Sequence, residues 1–171
     1  AIVHRKHELV VIDPTLVVGK KKFDVVWGFI EGRIEKHERI LDVGCNGGFN
    51  LGLLHDLGYT ELYGIEPSID AVAYAHEHRP YLRETVKQGF LASKKNNVQA
   101  KLVMFMDSAD RVPYHAGLFE AIDQCATEYV FIGTGELWES YPRDWIYEMA
   151  RKGFLCIEKQ VVGEHGKPTG R

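Results

Sequence analysis

Apolar residues along this chain fall into short continuous runs, separated by stretches where they recur every three or four positions. The first rhythm belongs to buried strands and the second to amphipathic helices. Residues 8–18 (Glu-Leu-Val-Val-Ile-Asp-Pro-Thr-Leu-Val-Val) are rich in β-branched side chains but interrupted by Pro14, which predicts extended edge or hairpin structure. From Lys21 to Lys36 the steps Phe23, Val26, Trp27, Ile30 and Ile34 predict a helix. Arg39–Val43 reads as a short buried strand ended by glycines. Phe49–Leu57 reads as a helix with Leu53, Leu54 and Leu57 on its inner face. Leu62–Glu66 is a second strand, Pro67-Ser68 opens a helix to about His78, and 84–88 is a short third strand. Strand Lys101–Met106, helix Tyr114–Ala126, strand Tyr129–Ile132, helix Pro142–Lys152 and strand Phe154–Val162 complete the pattern.

Strands alternating with helices of ten or so residues imply parallel βαβ units. The expected fold is therefore α/β, a doubly wound, mostly parallel sheet with helices on both faces. With 171 residues the chain reads as one domain: an N-terminal extension and helix (1–38), a core (39–162) and a flexible Gly-rich tail (163–171). A net charge of −3 provides no basic field for nucleic acid. No apolar run approaches the ~18 residues of a membrane span, and the start, Ala1-Ile2-Val3-His4-Arg5-Lys6, lacks a signal-peptide core. Cys45, Cys125 and Cys156 are far apart, with no C-x-x-C spacing. They read as free thiols in a reducing compartment, so a cytoplasmic protein without a zinc site is expected.

Ligands of such sheets bind beyond the carboxyl ends of the strands, where strand order reverses. One segment has the matching chemistry: Ile40-Leu41-Asp42-Val43-Gly44-Cys45-Asn46-Gly47-Gly48-Phe49-Asn50, a strand running through glycines into a helix. Glycine admits positive φ and close approach of a ligand to the backbone, and a helix N-terminus favours an anionic group. Glu66 ends the next strand, 24 positions after Asp42, where an acidic residue suits the two hydroxyls of a ribose. The dinucleotide fingerprint G-x-G-x-x-G fails, because Asn46 and Phe49 stand at two glycine positions. No Walker sequence occurs either. A carboxylate at Asp42 would repel a pyrophosphate but suits a ligand ammonium. An amino-acid end joined to a ribose describes S-adenosylmethionine.

Over these residues, and over Leu62-Tyr63-Gly64-Ile65-Glu66-Pro67-Ser68, the chain resembles the class I S-adenosylmethionine-dependent methyltransferases. The family's first motif is apolar-apolar-Asp/Glu-x-Gly-x-Gly-x-Gly, and Asn46 replaces its middle glycine, as a residue that also enters the left-handed region. The resemblance is sharp over about 40 residues and looser through Ile132. It implies a Rossmann-like methyltransferase fold with S-adenosyl-L-methionine as cofactor. Asp42, Gly44, Cys45, Asn46, Gly47 and Gly48 would hold the methionyl part, and Glu66 with Pro67 the ribose. Two departures stand out. The family often has an acidic residue near the adenine after the third strand, where this chain has Gln88-Gly89-Phe90-Leu91, so Phe90 and Leu91 would take the adenine. Family domains also usually end in an antiparallel strand pair. This chain supplies one final strand, which implies a shortened C-terminal pair.

Methyl transfer from a sulfonium is an in-line displacement governed mainly by positioning, with a base needed only for an acceptor of high pKa. Asp107, Asp110, Tyr114, His115, Glu136 and Tyr141 follow the strand ends. Asp107 and Glu136 are the candidate catalytic residues, and by the resemblance Asp107 also approaches the cofactor's amino end. Helix capping or turn formation explains Asp107 and Asp110 equally well. Cys45 has no cationic partner placed by the sequence and reads as a small loop residue. His76-Glu77-His78 lacks metal-ligand spacing and reads as a solvated helix end, and Lys20-Lys21-Lys22 as a basic helix start. Neither the Asn/Asp-Pro-Pro-Tyr/Phe motif of amino methylation nor the Pro-Cys of cytosine methylation is present. A small-molecule acceptor is therefore expected rather than nucleic acid, with oxygen a candidate atom. The alternative is a non-catalytic S-adenosylmethionine-binding partner or regulatory domain, which leaves a protein partner open.

Overall fold

The computed structural model describes residues 7–13, 20–91, 98–106, 117–133 and 142–161. Strands β1 (His7–Asp13), β2 (Ile40–Val43), β3 (Leu62–Glu66), β4 (Val86–Gln88), β5 (Ala100–Met106), β6 (Ala126–Gly133) and β7 (Phe154–Val161) form one sheet. Its order is β4-β3-β2-β5-β6-β1-β7, with every described pairing parallel. Helices α1 (Lys20–Ile30), α2 (Phe49–Asp56), α3 (Ile69–His78), α4 (Leu118–Cys125) and α5 (Pro142–Arg151) alternate with the strands. None of the helices in the described residues is long and apolar enough to cross a membrane.

Strand side chains alternate between faces, and the two hydrophobic clusters obey that parity. Ile40, Leu62, Val86, Leu102, Met104 and Phe131 pack with α1, α2 and α3. Leu41, Val43, Ile65, Val103, Phe105 and Ile132 pack with α4 and α5. Both sheet faces are thus covered, which is why the central strands read as continuous apolar runs rather than alternating ones. By the same parity Asp42 lies on the α1–α3 face, paired with Gly64 on β3 and Met104 on β5.

Most of the expected elements form close to their expected bounds, and three differ. β1 is an interior strand between β6 and β7, not an edge or hairpin strand. Pro14, which follows the last strand residue Asp13, lies outside the described residues. The final strand β7 pairs with β1 in parallel, so the described residues hold no antiparallel C-terminal pair. Helix α1 ends at Ile30, short of Lys36, and Gly32 at φ 81° turns the chain. In α2 the buried leucines are Leu51 and Leu54, while Leu57 is exposed and Leu53 half-buried. In this two-turn helix the apolar residues Phe49, Leu51, Leu53 and Leu54 spread over more than half the circumference with Asn50 among them, so periodicity cannot determine its rotation.

Candidate functional site

From β2 the chain order runs one way to β3 and β4 and the other way, from β5, to β6. The reversal falls between β2 and β5, and the carboxyl end of β2 opens into Gly44–Gly48. This is where an open parallel sheet offers a ligand crevice. Gly44 (φ 75°), Asn46 (φ 51°) and Gly48 (φ 76°) are left-handed, and Asn46 is the one non-glycine residue with positive φ among the described residues. Asn46 therefore does the conformational work of the glycine it replaces. Gly47 is glycine for a different reason: a Cβ there would stand 2.8 Å from the Tyr74 ring.

Glu66 braces this loop. Its Oε2 accepts from the Asn46 backbone N–H (2.9 Å) and its Oε1 from that of Ser68 (2.9 Å). One carboxylate thus ties the glycine loop to the start of α3, where Ser68 Oγ accepts from Ala71 N–H (3.3 Å) as N-cap. The Gly44 and Cys45 amides donate to Ile65 O (2.8 and 3.2 Å), which closes the loop against β3. Helix α2 begins at Phe49 with Gly48 as its N-cap, which makes no side-chain cap bond to the donors of the first turn.

Asp42 is 1% exposed, and among the described residues neither carboxylate oxygen has a hydrogen-bond partner. Such a group holds its charge only at high cost. Burial, and secondarily the Glu66 charge, hold its carboxyl well above the usual carboxylate range. Burial, with Asp42 and Glu66 next, likewise pushes the Cys45 thiol up, so Cys45 is a packing residue here and no nucleophile. Its Sγ fills the space above Gly64, 2.6 Å from where a Cβ on that glycine would stand.

Across from the loop, Gly89 N–H donates to Glu66 O (3.0 Å) and sets Phe90 beside the end of β3. The Phe90 ring is 52% exposed, whereas Leu91 is buried in the core beneath it. Pro67 is exposed, and its carbonyl accepts from Gln88 Nε2 (3.2 Å). The structure therefore brings Asp42, the Gly44–Gly48 loop, Glu66, Pro67 and Phe90 to one end of the sheet. Asp107, Asp110, Tyr114, His115, Glu136 and Tyr141 lie outside the described residues. His76 and His78 point to different tasks: His76 Nε2 bonds Val86 O (2.8 Å), and His78 stacks on Tyr74. One contact has no signal in the sequence. Arg79, 32 residues from the loop, donates from Nη1 to Gly47 O (3.0 Å). Arg79, Tyr74 and Phe49 also line a groove of about 360 Å³ along α2 and α3.

No known family model matches this sequence, and no curated protein does. Solved structures do match. A TehB-like SAM-dependent methyltransferase from Corynebacterium glutamicum superposes with a TM-score of 0.60 at 16% identity, over 77% of this chain and 71% of that one. The YcgJ protein from Bacillus subtilis gives 0.54 at 14% identity, over 66% of this chain and 50% of that one. YJHP from E. coli gives 0.51 at 20% identity, over 64% of this chain and 45% of that one. The chain thus spans about half the length of the last two. At these identities the likeness carries the fold alone: a parallel sheet with flanking helices, similar to the Rossmann-like fold of the SAM-dependent methyltransferase it matches.

Proposed function

We propose that this chain binds S-adenosyl-L-methionine and transfers its methyl group to a small-molecule acceptor. The observation that carries the reading is Asp42, a buried carboxylate that receives no donor from the described residues. A ligand ammonium beside the glycine loop answers that deficit, whereas a pyrophosphate would aggravate it. The start of α2, beside the Gly44–Gly48 loop and without a capping side chain at Gly48, fits the carboxylate of the same methionyl end. Glu66 spends one lone pair of each oxygen on the loop and α3, and each oxygen can accept once more, from a ribose diol. Phe90 offers an exposed ring on which an adenine can stack, with Pro67 along the ribose edge.

When bound, the cofactor supplies an electrophilic methyl group on a sulfonium. The chain's part is positioning: Glu66 fixes the ribose, Asp42 and the loop fix the amino-acid end, and together they aim the reacting centre across the strand ends. A base enters only for an acceptor of high pKa, and Asp107 and Glu136 are the residues assigned to that role. The acceptor is a small molecule because the net charge of −3 gives no field for a polyanion.

Calorimetric titration with S-adenosylhomocysteine, with NAD as comparison, tests the cofactor. Micromolar binding of the first alone is expected, and Asp42→Ala should abolish it. Binding that survives Asp42→Ala undiminished refutes the placement of the methionyl end. Turnover to S-adenosylhomocysteine with a panel of acceptors separates the enzyme from a non-catalytic binding partner.

A further inference from the structure

Arg79 closes α3, where its backbone N–H still donates to Ala75 O (2.8 Å). Its side chain then leaves α3 and crosses α2. Its Nε lies 2.6 Å and its Cδ 3.3 Å from where a Cβ on Gly52 would stand, and Cδ lies 3.5 Å from the same point on Gly48. Beyond that crossing, Nη1 reaches the Gly47 carbonyl at 3.0 Å. One otherwise unexplained choice, Gly52, lies along this path, and a mobile peptide lies at its end. Gly52 is a glycine in the interior of a helix, where alanine is far the better helix former. Gly47 and Gly48 are consecutive, so little steric resistance opposes rotation of the peptide between them.

We propose that Arg79 is a positioning residue for the ligand site, locking the Gly47–Gly48 peptide, and that position 52 is glycine to let it through. The inference rests on reading the loop as the cradle of the methionyl end. In a trans peptide the C=O and N–H point in opposite directions. Here the C=O accepts from Arg79, and the Gly48 N–H donates to Cys45 O (2.9 Å). A flip of that peptide breaks both bonds at once, so the cradle is set before the ligand arrives and binding bears less ordering cost. The guanidinium also brings positive charge to the uncapped end of α2. A cation there opposes the helix dipole, a placement that favours an arriving carboxylate.

The test compares wild type, Arg79→Met and Gly52→Ala, each as the full chain. Amide hydrogen exchange is measured without ligand, and S-adenosylhomocysteine affinity by calorimetry. Arg79→Met keeps length and apolar stem but loses the donors. Gly52→Ala keeps Arg79 intact, displaces it, and improves helix propensity, so a general loss of folding is not its expected effect. Both variants should exchange about tenfold faster over residues 44–50, with α4 and β5 unchanged, and bind S-adenosylhomocysteine about tenfold more weakly, as loss of a charge-assisted bond predicts. The proposal is overturned if both variants match wild type over 44–50. It is equally overturned if exchange rises evenly through α2 and α3 with a matching fall in thermal midpoint, since Arg79 is then packing alone. If the loop loosens as expected but no form, wild type included, binds the ligand, the lock stands and the cofactor reading falls.

Discussion

Replacing Asp42 by Asn separates the cost of a buried carboxylate from everything else at the site. Asp42 is 1% exposed with both oxygens unpartnered among the described residues, and its native pKa is raised by burial first and by Glu66 second. The unfolded chain titrates it at about 3.9. Between that value and the raised native one, the folded protein binds more protons than the unfolded one, so stability falls as pH rises. The loss approaches about 1.4 kcal/mol per pH unit inside that window, is absent below it and complete above it. Asn has nearly the same shape and does not titrate. Urea unfolding of both proteins across a pH series from about pH 4 upward reads the difference, and contributions from the other titrating groups largely cancel in it. The advantage of the Asn protein should grow with pH and then level off. Two curves that run parallel refute the assignment of a raised Asp42 pKa. Saturating S-adenosylhomocysteine should flatten the wild-type slope, because an ammonium beside Asp42 stabilises the charged form.

Further outcomes follow from the same geometry. Gly64→Ala sets a methyl group against Cys45 Sγ and should cost about 1–3 kcal/mol in denaturant unfolding; adding Cys45→Ala should recover much of it, and strict additivity of the two would refute the contact. Cys45 should resist iodoacetamide in the native protein at mildly alkaline pH, because its thiol is buried and its pKa is pushed up, and mass mapping of alkylated peptides checks this. Phe90→Ala should leave the thermal midpoint nearly unchanged, since the ring is 52% exposed, while weakening S-adenosylhomocysteine binding severalfold. An unchanged affinity would remove Phe90 from the adenine site.

The candidate site was readable in the sequence wherever the chemistry is local. The glycine loop, Asp42 before it and Glu66 at the next strand end lie within 25 residues and depend on one βαβ unit. Their meeting follows from connectivity alone. Phe90 was likewise placed by its position after β4. The rotation of α2 and the place of β1 were not readable. Apolar residues spread over more than half the circumference of α2, so only packing against the sheet selects Leu51 and Leu54 as its buried pair. A parallel strand finds its partners at long range, and nothing within residues 7–13 says that β6 and β7 will flank it.

What the sequence by itself determined, then, is the alternation of strand and helix, the conformation of the loop and the identity of the acidic pair. Each depends on residue type and spacing within one supersecondary unit. The tertiary structure alone decided that Asp42 has no partner among the described residues, that Glu66 spends both oxygens on backbone amides, and that Arg79 reaches Gly47 from 32 residues away. Whether a polar group is satisfied is a property of everything packed around it. That is known only once all the layers are in place.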